Sequence, residues 1–196
     1  MHKIKYFMQK YYIYLYLYAD FIIFGAKFII RVMAAPYPIL IRKKKNNGTT
    51  TAVVNTETAF GMVASEIPFH FAGDVKEPYK NDWHDEDGVE TYLSDEGLFF
   101  NAYDMEVTFL YKGQQNSFSG NLRDFLDFLS GKDGDGARLT IYDTYNNVGR
   151  NDVYFKSISP DVFVKQNVSN NANGQEIASF KVTFNVGDPV TDVVLT

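Results

Sequence analysis

A mainly β domain, a sandwich or small barrel with one amphipathic α-helix packed on it, is what this 196-residue sequence predicts from about Met33 onward. Three observations predict it. Two stretches alternate apolar and polar side chains, Tyr103 to Tyr111 and Phe180 to Val186, as half-buried strands do. One stretch places Leu122, Phe125, Leu126 and Leu129 at i, i+3, i+4 and i+7, a helical stripe. Tyr and Phe far outnumber the single Trp, a bias that suits pleated surfaces. One amphipathic helix cannot cover both faces of a sheet, so two sheets, or a sheet and the helix, must enclose the core.

The first 32 residues stand apart from this pattern. They carry five cations against Asp20 alone, so the remainder of the chain is near −9 in a total of −5. Three readings compete for them. Tyr11 to Ile30 has the length of a transmembrane helix, but Asp20 and Lys27 fall inside it, each costing about 2.5–3.5 kcal/mol at mid-bilayer. A signal peptide would need a small-residue cleavage site, and Met33-Ala34-Ala35-Pro36 puts Pro in the way. Of the 32 residues, 22 are Phe, Tyr, Met, Ile, Asn or Lys, which have AT-rich codons; a misplaced translation start, with Met33 the true one, would look like this. The expected organisation is thus a leader at 1–32 and a single β-rich domain at 33–196.

From Pro36 to Ile41 the chain reads as a short extended segment, and Arg42–Thr50 as a basic, solvated loop with an Asn-Gly turn. That loop is too short, and too poor in aromatics, for a nucleic-acid patch. Thr51–Asn55 and Ile67–Phe71 are weakly patterned, with His70 read as a strand residue. Then comes Gly73–Gly97, long, acidic and dense in turn formers, the mark of a functional loop or an interaction arm. After the strand at Tyr103 to Tyr111, Ser119 opens the helix and Gly131 stops it, with Phe128 beside the main stripe. Leu139–Tyr142 and Val153–Lys156 pair through an Asn-rich turn, Val162–Val164 is a shorter strand, and a polar loop at Gln166–Gln175 precedes the last strand. Two sequons, at Asn47 and Asn167, matter only if the chain is secreted.

Catalytic patterns are missing from the sequence. There is no cysteine, the three histidines are His2, His70 and His84, and no nucleophile elbow, P-loop or dinucleotide fingerprint is present. No cofactor and no small-molecule substrate is expected, and the negative net charge disfavours electrostatic binding of nucleic acid. His84-Asp85-Glu86-Asp87 is the one cluster that invites a metal, but a calcium loop aligned on Gly88 puts Trp83 and Ser94 at the two decisive ligand positions. Asp133 and Asp135, aligned on Gly136, fail in the same way. Two of Asp85, Asp87 and Glu90 would serve as a glycosidase pair, although any acidic loop offers such pairs. An interface or solvated loop is the simpler expectation. Trp83 then either anchors in a partner's pocket or folds back on its own domain.

The order of the later elements resembles a known family. A strand, the helix NLRDFLDFLSG, the strand ARLTIYDTY, its partner NDVYFKSISP and a last strand ASFKVTFNVGDPV running into Asp-Pro look like the core of siphophage distal tail proteins and their tail-tube relatives. The resemblance covers Leu98 to Val190 and rests on element order and the terminal strand-Asp-Pro. It implies a structural virion protein, assembled in the host cytoplasm, that forms a homo-oligomeric hexameric ring and joins other tail proteins. DNA would pass the channel without specific binding, and extended loops would clasp the neighbouring subunit. In that frame Tyr79, Trp83, His84, Asp85, Glu86, Asp87, Glu90 and Tyr92 become interface or channel-facing residues. The alternative is a carbohydrate-binding β-sandwich, with Tyr79, Trp83 and Tyr92 as stacking rings, tethered to a membrane if residues 11–30 span one.

Overall fold

The structure, a computed structural model, describes residues 36–114, 116–159, 163–167 and 175–196. The leader and the readings placed on it therefore lie outside the described residues, as does most of the Gln166–Gln175 loop. No helix among the described residues is long and apolar enough to cross a membrane.

The first described strand is β1 (Ile39–Lys44), whose alternation turns Ile39, Ile41 and Lys43 inward. The first third of the basic stretch expected to be loop, Arg42 to Lys44, is thus strand, and the turn follows Lys44. There Asn47 Oδ1 accepts from Thr49 N (3.0 Å). After β2 (Val54–Asn55) the chain turns into a short helix, α1 (Thr56–Phe60), which the sequence does not announce. Asn55 caps it, its Oδ1 accepting from the backbone of Glu57 (2.9 Å) and Thr58 (3.2 Å). Strand β3 (Met62–Glu66) follows, then a small hairpin, β4 (Tyr79–Asn81) and β5 (Glu90–Tyr92), in a sheet of its own.

The expected central strand is β6 (Tyr103–Gln114), with Met105, Val107, Phe109 and Tyr111 buried. The expected helix is α2 (Phe118–Ser130), with Ser117 rather than Ser119 at the N-cap position, and it ends where Gly131 takes a left-handed φ of 78°. Its buried face is Phe118, Phe125, Phe128 and Leu129, so Phe128 belongs to the stripe, while Leu122 and Leu126 are only half-buried. Strands β7 (Arg138–Asp143), β8 (Val148–Ile158), β9 (Phe163–Asn167) and β10 (Gln175–Val186) complete the chain.

Apart from the hairpin, the strands form one antiparallel sheet in the order β2-β1-β7-β8-β10-β6-β3, with β9 beside the start of β10. This sheet closes. Tyr37, just ahead of β1, exchanges two backbone hydrogen bonds with Ala64 of β3 (2.9 and 2.8 Å), so β1 meets both ends of the order. The result is a small antiparallel barrel with its apolar alternates inside, which satisfies the edge strands by joining them. Registered pairs build the core in layers: Phe109 faces Phe180, Val107 faces Val182 and Met105 faces Phe184. Helix α2 packs on β6, β8 and β10 and sets Phe125 edge-on to Phe109 (centroids 5.1 Å). From α1, Phe60 closes over Phe125 and Phe128 (5.3 Å each).

Candidate functional site

The stretch Gly73–Gly97 is not an irregular loop. It is the outer part of a two-stranded ribbon that leaves the barrel at β3 and returns at β6. At its root Lys76 N donates to Phe99 O and Asn101 N donates to Asp74 O, both at 2.7 Å, and Val75 bridges Phe100. Further out Tyr79, Lys80 and Asn81 pair with Tyr92, Thr91 and Glu90. Gly73 is required at the root: a Cβ there would lie 2.2 Å from the Asn101 carbonyl oxygen.

The root is fixed to the barrel by a buried arginine and a ring stack. His70, expected in a strand, instead lies exposed beyond β3 and stacks on Tyr103 (4.4 Å, 2° between planes). Its carbonyl accepts from Arg150 Nη2 (3.0 Å). The Arg150 side chain is buried, and its Nη1 donates to the Gly149 carbonyl and pairs with Asp192 in the C-terminal segment. One guanidinium thereby ties β8, the ribbon root and the tail of the chain together.

Beyond the root the ribbon is exposed on both faces. Of fourteen large hydrophobic side chains exposed among the described residues, nine lie between Phe71 and Phe99, which concentrates the apolar surface there. Phe71 is 88% exposed and Tyr79 69%. Two pairs of the predicted site residues are brought together. Tyr79 and Tyr92 sit opposite each other with rings 5.7 Å apart, tilted by 44°. Trp83 Nε1 donates to Glu90 Oε2 (3.1 Å), so the indole folds back on its own ribbon while remaining half exposed. His84, Asp85, Glu86 and Asp87 occupy the tip, exposed, with no ion pair among the described residues. Nor do three His, Asp or Glu side chains among the described residues come together as a metal would need. Between Gly73 and Gly97 stand nine acids and two lysines, a net −7.

Sequence reasoning missed a second set of polar residues, those buried in the barrel. Lys43 is fully buried; its Nζ pairs with Asp133 (2.5 Å) and lies 4.2 Å above the Phe128 ring. Next along, at the surface, Lys45 pairs with Asp135 (2.6 Å) and holds that carboxyl below its ordinary pKa, chiefly by the hydrogen bond. Asp143 is buried, accepting from the backbone of Tyr145 (2.8 Å) and Asn146 (3.2 Å), the Asn146 amide (2.7 Å) and the Tyr37 hydroxyl (3.2 Å). Burial first, and the Asp143 charge second, push the Tyr37 hydroxyl well above the usual tyrosine range. The available signal was period two: with Ile39 and Ile41 inside, Lys43 must follow them.

The outer face of the barrel is polar and cross-linked. Asp104 of β6 pairs with Lys156 of β8 (2.5 Å) and accepts from Asn185 of β10 (2.9 Å), and the Lys156 hydrogen bond is the main cause of its lowered pKa. Lys181 reaches Glu106 (2.6 Å). No catalytic constellation emerges from these pairs, which are surface cross-strand contacts worth little individually.

No family model matches the sequence, and no curated protein matches it. Among solved structures the chain is similar to one from the tail of an empty GTA particle, computed with helical refinement in C6 symmetry. The two are 13% identical, over 80% of this chain and 96% of that one, with a TM-score of 0.30. At that score the likeness decides neither fold nor function.

Proposed function

We propose that this chain is a non-enzymatic structural subunit of a bacteriophage tail, a ring-forming protein of distal-tail or tail-tube type that clasps its neighbour with the 73–97 ribbon. The ribbon is the observation that carries assembly. A two-stranded ribbon with neither face covered is marginally stable in water, and this one displays an apolar surface that a lone soluble chain has little reason to keep exposed. Rooted on a closed barrel, it has the form of an arm reaching for another protein. The tail assignment rests on the order of elements from Leu98 to Val190. A ring subunit with a net charge of −5 would let DNA slide past without gripping it, and the virion tail is where such a chain would reside.

A glycan-binding module is the competing reading, with Tyr79, Trp83 and Tyr92 as stacking rings. The tilt between Tyr79 and Tyr92 disfavours it, because a sugar face wants a flat platform.

Removing Glu77 to Leu98, and joining Lys76 to Phe99 through a short Gly-Ser turn, tests the clasp. Those two residues are already hydrogen-bonded, so the ribbon root is kept and the barrel is untouched. Analytical ultracentrifugation should find the full chain in rings and the shortened chain as monomers. Rings of unchanged mass from the shortened chain would defeat the reading, as would a monomeric full chain that gives a glycan-array signal.

A further inference from the structure

The clasp leaves open what the ribbon grips, and one face of the barrel is built to receive it. Resting on the assembly reading above, we propose that the acidic tip of one subunit's ribbon docks on the Lys44–Arg138 end of the β1–β7 pair of a second copy, where Lys44 and Arg138 are exposed and Arg42 is half-buried beside them. Alternation along β1 sends Lys43 inward and Arg42 and Lys44 outward. Lys43 and Lys45 have carboxylate partners, Asp133 and Asp135, whereas Arg42 and Lys44 form no ion pair among the described residues. In the antiparallel register Lys44 stands directly opposite Arg138, with Cβ atoms about 5 Å apart, a like-charge pairing that is unfavourable in a sheet. Asp152 reaches Arg138 (2.9 Å), leaving the three cations a net +2.

The chain supplies the complementary anion. Asp85, Glu86 and Asp87 cluster at the ribbon tip, exposed and without an ion pair among the described residues. Two ribbons, each at −7, would repel one another, so a two-fold contact of ribbon against ribbon is disfavoured. The ribbon must meet a different surface, and a contact between unlike surfaces propagates head to tail, closing into a ring where the rotation allows. Three cations are too few to hold nucleic acid in place of a protein partner.

Charge reversal in the full-length protein tests this. Arg42→Glu with Lys44→Glu should weaken self-association by at least about tenfold, as should Asp85→Lys with Asp87→Lys on the ribbon. The chain carrying all four substitutions should assemble again. Lys44→Gln, which removes one charge without reversing it, should give an intermediate loss, and circular dichroism should find every variant folded. Assembly unaffected by the first pair, or no recovery in the fourfold variant, overturns the docking face. If ribbon removal still abolishes rings in that case, the clasp stands and only its receiving surface is wrong. A full chain monomeric at all concentrations removes both. Duplex DNA retained by the wild type and lost with Lys44→Glu, at unchanged mass, would assign the face to a polyanion and overturn the proposal.

Discussion

Among individual residues, Lys43 and Asp133 show how a charge can live inside a barrel. Lys43 has no exposed surface, while Asp133 keeps about a third of its side chain in water. The two are therefore not equivalent. Removing the carboxylate strands an ammonium above Phe128 with nothing to replace water, whereas removing the ammonium leaves a carboxylate that solvent can still reach. Asp133→Asn is expected to cost about 1–3 kcal/mol in urea unfolding. Lys43→Met, which keeps the stem volume and the ring contact, is expected to stay within about 1 kcal/mol of the wild type. The reverse order would mean that the pair does not stabilise the fold as its geometry indicates. Asp188, in the Asp-Pro that ends the last strand, has a different task. Its Oδ1 accepts from the backbone of Val190 (3.2 Å) and Thr191 (3.0 Å), fixing the turn after β10. Partial burial would raise its pKa, but the hydrogen bonds from Thr191 and Val190 outweigh this and hold it below the ordinary carboxylate value.

Among the elements, helix α2 is held at its start by a residue far away in sequence. Ser117 occupies the N-cap but makes no side-chain cap bond there; its hydroxyl is engaged by Tyr111 (2.6 Å) and the Gln114 carbonyl (2.5 Å). The buried Glu176 of β10 takes over, its Oε2 accepting from Phe118 N (2.9 Å) at the positive end of the helix dipole. Glu176→Ala should destabilise the protein by about 1–2 kcal/mol in thermal or urea unfolding. Ser119→Ala, the cap that spacing suggests, should be near neutral. This contrast marks where sequence reading succeeds and where it stops. Strands β6 and β10 and the existence of α2 are legible because one face of each is buried, and burial writes a period into the chain. Helix α1 is too short to show a period. The ribbon shows none because both of its faces are exposed, so it reads as loop; its acids and aromatics were visible, but their pairing was not. Arg42–Lys44 reads as loop because charge masks an alternation that Ile39 and Ile41 had already set. Long-range partners such as Glu176 with Phe118, or Arg150 with His70, leave no local trace.

At the scale of the whole molecule, closing the sheet through Tyr37 and Ala64 divides the chain into two regions of unequal security. In the barrel, apolar layers back the backbone hydrogen bonds, whereas the ribbon's hydrogen bonds face water. Hydrogen–deuterium exchange on the lone chain should therefore find β6 and β10 slowest and the amides of 79–92 fast. On assembly the ribbon amides should slow markedly, with the barrel little changed. Fast ribbon exchange in the assembled state would place the contact elsewhere.

The fastening at Arg150 has a mechanical consequence. Because one buried guanidinium holds both the ribbon root and the C-terminal segment to β8, a pull on the ribbon does not load its two strands alone. Tension reaches the long β6 strand directly through its continuous backbone. It also reaches β8 and the tail sideways, through hydrogen bonds that must all shear together. A subunit hauled by its neighbour would therefore yield first at the tip, where strands β4 and β5 can peel apart one rung at a time, and only later at the barrel.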